Sequence, residues 1–217
     1  MVVFKFTKTG NAKFLSHLDM MRLFKLSIRR AGLKVNRNKR GDMKVYFSPA
    51  TPIGVESECE YVEIDTNYSA HKFADQLKTY LPENIKITGE YDLAGRLRVS
   101  QAILAKYVID IDGLDLVQKK IQELLSSSDF YVKLKMNNIN STASVNTLIH
   151  SYQIDKGKLV LLGFTGENNL SITQTILQLL KLTSNPSANF KITKTNLFSR
   201  IDDRFHDIEL LLLRNKL

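Results

Sequence analysis

Apolar and polar residues alternate in VVFKFTKTG, residues 2–10, the period of a strand with one face on a core. After Gly10 the period lengthens. Met20, Met21, Phe24, Ile28 and Ala31 share one side of a helix turned about 100° per residue. Ser16 stands at the N-cap with Asp19 three residues on, a capping box with Asp in place of Glu or Gln. Gly32 supplies the stop, so the pattern predicts a helix over 17–31. LKVNRN (33–38) and MKVYFSPA (43–50) read as strands, with the basic NKRGDMK (38–44) turning between them at Gly41. CEYVEIDT (59–66) alternates again, SAHKFADQLKTYL (69–81) is amphipathic with a cap at Ser69 and a stop at Pro82, and NIKITGEYDL (84–93) is a further strand.

The order strand, helix, strand, strand, helix, strand is the ferredoxin-like arrangement. It returns in the second half. AKYVIDIDG (105–113) is a strand, and LDLVQKKIQELLSS (114–127) is a helix with Leu114, Val117, Ile121 and Leu124/Leu125 inward. DFYVKLKM (129–136) and KGKLVLLGFTG (156–166) are strands. SITQTILQLLKL (171–182) is a helix capped by Ser171, and NFKITKTNLF (189–198) is the last strand. Residues 137–156 fit poorly, as a strand plus a loop, and 200–217 is open between helix and strand. The expected architecture is α+β, two tandem ferredoxin-like (βαββαβ) units over 1–97 and 98–217, joined around AGRLRVSQAI (94–103).

Charge changes this picture more than composition does. The formal net charge is +9. Residues 1–44 hold twelve Lys and Arg against two acids, Asp19 and Asp42, so the whole surplus sits in the first fifth of the chain. Concentrated charge of one sign repels itself and is not needed for folding, but it focuses a field on a polyanion. The candidate nucleic-acid-binding residues are Arg22, Lys25, Arg29 and Arg30 on the helix, with Lys34, Arg37, Lys39, Arg40 and Lys44 after it. Phe4, Phe6, Tyr46 and Phe47 are candidates for stacking on bases, against the alternative that alternating aromatics form core. SPATPIGVES (48–57) is either a rigid loop lining a groove or a plain edge connection.

Other chemistry is sparse. His17 at the first helical turn is a candidate general acid or base, against a local packing role. Cys59 is the only cysteine, and the four histidines lack H-x-x-x-H or H-E-x-x-H spacing, so neither a metal nor another cofactor is expected. No phosphate-binding or dinucleotide glycine pattern occurs, and GFTG at 163–166 is only a two-glycine turn. No apolar run nears the ~20 residues of a membrane span, and the N-terminus lacks a signal-peptide pattern. A cytoplasmic protein without membrane attachment is expected.

FLSHLDMMRLF with RRAGL, followed by FSPATPIGVES and EYVEID, resembles an uncharacterised radical-SAM-associated domain family of bacteria. That family occurs alone or C-terminal to cobalamin-binding-type radical SAM proteins. The likeness is concentrated in residues 14–65. It implies a partner radical SAM enzyme and an RNA or ribosomal substrate. Where the family carries a G-F-N-P-H-P-like segment this chain reads NRNKRGDMKV, and Val145–Asn146–Thr147 lacks the charges of an Asp-Leu-Arg-like motif. A single cysteine cannot ligate a radical SAM cluster. Three functions compete: an RNA-binding module, an adaptor for a radical SAM enzyme, and a metal-independent endoribonuclease similar to the RAMP-type enzymes using His17. The first two, both non-catalytic, are the expectation.

Overall fold

The computed structural model describes residues 1–136, 139–165 and 171–215, so Gly166 of GFTG and two residues of the 137–156 segment lie outside it. The fold is α+β, as expected, in two compact units. The first comprises residues 1–103 and 196–217, the second 104–195. Against the expected 1–97 and 98–217, residues 98–103 and those from 196 onward cluster with the first unit.

The first unit begins β1 (Val2–Lys8), α1 (His17–Arg30), β2 (Val45–Phe47), β3 (Glu56–Ile64), α2 (Ala70–Lys78) and β4 (Ile87–Asp92). β1 lies between β4 and β3, with Phe4 opposite Glu90 on one side and Val62 on the other. β2 pairs with β3 through Val45 and Ile64. All three pairings are antiparallel, giving the order β4-β1-β3-β2. One strand fails to form. LKVNRN contributes only an isolated Arg37–Met43 bridge, while the Asn36 N–H donates to the Asp65 carbonyl at 2.8 Å.

Both helices bury their apolar sides in one core. Val2, Phe4 and Phe6 of β1 meet Met20, Phe24 and Ile28 of α1 and Phe73, Ala74 and Leu77 of α2. Phe24 sits 4.7 Å from Phe6 and 5.4 Å from Phe47, ring centre to ring centre, and Phe4 stacks on Phe73 at 5.6 Å. The opposite side of β1 is not open to water as simple alternation implies, since Val3 is fully buried. The end of the chain reaches it. The undecided stretch 200–217 resolves into both alternatives: β10 (Phe190–Ile201) turns back into β11 (Arg204–Asp207), which leads to α6 (Ile208–Arg214). Glu209 of α6 accepts a hydrogen bond from Lys5 Nζ at 2.7 Å. Burial, with Glu209 alongside, raises the Tyr91 pKa above its ordinary value.

In the second unit β5 (Leu104–Ile111) pairs with β9 (Lys158–Phe164), and β9 with β8 (Ile149–Asp155), all antiparallel. α3 (Leu114–Ser126) buries Leu114, Val117, Ile121 and Leu125 as its spacing requires, and α5 (Ile172–Lys181) follows β9. Ser171 occupies the cap position of α5 without a side-chain capping bond. The strand expected at 129–136 is β6 (Tyr131–Met136), but its partner is β7 (Ile139–Ser144) in a separate two-stranded sheet. After the short α4 (Val145–Leu148), β8 takes the place beside β9. A two-residue turn, Lys156–Gly157 with both φ values positive, fixes that pairing.

α1 closes as the sequence predicts. Gly32 takes φ +66°, its N–H donates to Arg29 O, and Leu33 N–H donates to Ile28 O, both at 3.1 Å, a Schellman motif. No atom would obstruct a Cβ at Gly32, so only backbone strain opposes one. Gly32→Ala should therefore destabilise the protein by about 1–2 kcal/mol, read as a lower urea midpoint at unchanged slope.

Candidate functional site

The basic segment is built from two pieces of backbone that fix their own acids. At the start of α1, Ser16 Oγ accepts from the Asp19 N–H at 3.1 Å while its hydroxyl donates to Asp19 Oδ2 at 2.6 Å. This is the expected capping interaction. The hydroxyl, aided by Arg22 at 3.6 Å, holds the Asp19 pKa below the usual carboxylate range.

The second piece is the hairpin 36–44. Asn38 organises its tip: its Oδ1 accepts from the N–H groups of Arg40 and Asp42, both at 2.9 Å, and its Nδ2 donates to Asp42 Oδ2 at 3.1 Å. Gly41, at φ +86°, donates its N–H to Asn38 O. Arg37 folds inward, its guanidinium donating to Gly41 O. At the base, Asp65 accepts from Asn36 Nδ2 at 2.8 Å and Lys44 Nζ at 3.1 Å. The Asn36 amide is the chief cause, and Lys44 a further one, of an Asp65 pKa below its ordinary 3.8.

The nine predicted cations therefore divide. Lys44 and Arg37 hold the hairpin together, and Arg22 leans on Asp19. Lys25, Arg29, Arg30, Lys34, Lys39 and Arg40 pair with no acid among the described residues, and all but the half-buried Lys25 are exposed. The outward side of α1 is not purely cationic. Leu18 is 61% exposed and Leu26 45%, interleaved with Arg22 and Arg29, and Phe14 and Ile53 are also exposed.

The aromatic candidates are corrected. Phe4, Phe6 and Phe47 are buried and used in the core. Tyr46 is half-buried, with the Arg96 guanidinium 3.6 Å from its ring centre. Arg96 in turn donates to Glu63, a fully buried carboxylate that also accepts from the Arg98 N–H at 2.8 Å. His17 is half-buried at the first position of α1, its ring edge-on to Phe47 at 6.1 Å. The 48–57 loop is tied down by hydrogen bonds. Gly54 N–H donates to Lys13 O, Lys8 Nζ reaches Thr51 O at 3.4 Å, and the Thr51 hydroxyl donates to the buried Glu60.

Two groupings escape sequence reading. Lys34, Val35, Asn36, Asn67, Tyr68, Ser69 and Lys72 line a groove of about 460 Å³. His71, Asp75 and Glu90 also converge, with His71 3.2 Å from Glu90 and 3.3 Å from Asp75. Only the four-residue spacing of His71 and Asp75 hinted at this, and Lys78 already sits 2.7 Å from Glu90. Among the described residues no helix is long and apolar enough to cross a membrane.

Fold and surface together define an α+β protein whose first unit carries uncompensated cations on a helix and a hairpin. The chain belongs to a bacterial family: the family model described as "Uncharacterized protein conserved in bacteria (DUF2344)" matches residues 2–188. No curated protein matches the chain.

Because the Asp65 carboxylate is favoured in the folded state, its contribution is complete above its unfolded value of about 4 and is lost as pH falls through the lowered folded value. Hydrogen exchange should show protected amides across 36–44 at pH 7 and down to about pH 4, with protection lost at lower pH. Asp65→Asn should loosen the same amides at pH 7.

Proposed function

We propose that this protein is a non-catalytic binding module of the bacterial cytoplasm that holds RNA on its basic face, working beside a radical SAM enzyme. One observation carries the reading. The two acids within residues 1–44 are engaged by the helix cap and the hairpin tip, while six cations beside them have no acidic partner among the described residues. A chain that ties its few acids into local hydrogen bonds and leaves its more numerous cations facing solvent is suited to phosphate backbones. The order β4-β1-β3-β2 under two helices fits a ferredoxin-like first unit, and β5-β9-β8 with α3 and α5 fits a second. The radical SAM connection rests on the motif resemblance in residues 14–65.

The exposed leucines favour a second reading, an adaptor seated on the radical SAM enzyme itself. Phosphate binding gains nothing from Leu18 and Leu26, whereas a protein interface buries them. The RAMP-like endoribonuclease alternative rests on His17 together with the tandem ferredoxin-like reading.

Titration of single-stranded RNA in increasing salt separates these readings. Binding should weaken steeply with salt, and Lys39→Ala/Arg40→Ala should flatten the log–log slope by about one unit or more. Absence of binding at low salt rejects the RNA module. Under the adaptor reading, a co-expressed radical SAM enzyme of the same organism stays bound after RNase treatment, and Leu18→Ala/Leu26→Ala releases it. RNA cleavage that His17→Ala abolishes would establish the enzyme instead.

A further inference from the structure

The groove at the base of the hairpin has the size and chemistry of a nucleotide site. Its volume, about 460 Å³, falls in the range of small-molecule pockets. Its apolar surface is Tyr68 with Val35, and its cations are Lys34 and Lys72, both exposed. Tyr68 is held by its neighbours. Its ring meets Phe73 edge-on at 6.1 Å, and its N–H donates to Thr66 Oγ1, whose hydroxyl donates to Lys34 O at 2.8 Å. Lys72 Nζ lies over the Tyr68 ring, 5.5 Å from its centre, so an incoming base takes the place of this exposed ammonium, which turns to the phosphate. Neither lysine pairs with an acid among the described residues. The nearby carboxylate, Asp65, is already held by Asn36 and Lys44. Asn67 and Ser69 add polar groups able to address a base edge or a sugar.

We infer that this groove receives one nucleotide of a single-stranded RNA, the base against Tyr68 and the phosphate between Lys34 and Lys72. The inference deepens the RNA reading and rests on it for the polymer, but the groove itself is testable with a monomer. Base–aromatic stacking tolerates any base, so selectivity comes from Asn67 and Ser69. The groove adjoins the hairpin through Asn36, so strand leaving the held nucleotide on that side runs toward Lys39 and Arg40 at the hairpin tip.

The experiment uses the full chain and the four ribonucleoside 5′-monophosphates, with uridine and inorganic phosphate as fragments. Amide chemical shifts are followed by NMR. At least one monophosphate should bind saturably and more tightly than either fragment, with the largest shifts in residues 34–36 and 67–72. Lys34→Ala and Lys72→Ala should each weaken it about tenfold, the scale of one charge-assisted hydrogen bond. Both lysines are exposed, so these variants keep the fold even if Tyr68→Ala does not. Lys39→Ala/Arg40→Ala should weaken RNA and leave the monophosphate unchanged. Failure of all four monophosphates to bind, or shifts mapping elsewhere, overturns the groove even if RNA still binds the hairpin. Monophosphate binding without RNA binding upholds the groove and rejects the polymer reading.

Discussion

The position of Phe24 governs what the first unit shows to its surroundings. Its ring is fully buried between Phe6 of the central strand and Phe47 of the short β2. Turning α1 by one residue would pull this ring from an aromatic cluster, a loss on the order of several kcal/mol for a large core side chain. Arg22 and Leu26 each lie two residues away, about 200° round the helix, and are therefore turned to solvent. The charged outer face is thus a consequence of aromatic packing underneath. Neither charge repulsion nor partner binding is required to orient it.

Electrostatics then acts on a surface already fixed. The few local acids are each tied to the backbone framework: Asp19 at the helix cap, Asp42 at the hairpin tip and Asp65 at the hairpin base. A carboxylate committed to such hydrogen bonds remains a charge, but its geometry is no longer free to follow a neighbouring Lys or Arg. The remaining cations gain little from each other. Exposed like charges at this spacing repel weakly and are screened over about 8–10 Å at moderate salt. Holding them together costs the fold little, and a polyanion that bridged them would displace their counterions.

Much of the first unit was legible in the sequence because helix period, cap and stop agreed. Ser16, the spacing of Phe24 and Ile28, and Gly32 all pointed to the same helix, and each has the expected role. The strand expected at LKVNRN is reduced to the Arg37–Met43 bridge, and Asn36 is tied by backbone and side chain to Asp65, a contact twenty-nine residues away that no local pattern contains. Stacking roles for Phe4, Phe6 and Phe47 are lost to burial, which alternation alone cannot distinguish from exposure. In the second half, pairing turns on Lys156–Gly157 and, near the end, on Asp202–Asp203, turns with positive φ at both residues. Neither carries the Asn-Gly or Asp-Gly signature that announces such turns. The basic cluster was readable in the sequence, whereas the place of Lys72 in the groove was not, since only folding brings α2 beside Lys34.

The return of α6 to the first unit sets an order of events during synthesis. Lys5 and Glu209 are separated by 204 residues along the chain. At a translation rate of about 5–20 residues per second, roughly 10–40 s pass between the two. Throughout that interval β1 can pair with β3 and β4 and collect α1 and α2, but the sheet's second face, with Val3 and Tyr91, still awaits its cover. A nascent chain of this protein therefore carries a half-finished sheet with one sticky side while the second unit is being made, and the last helix is the latch that closes it.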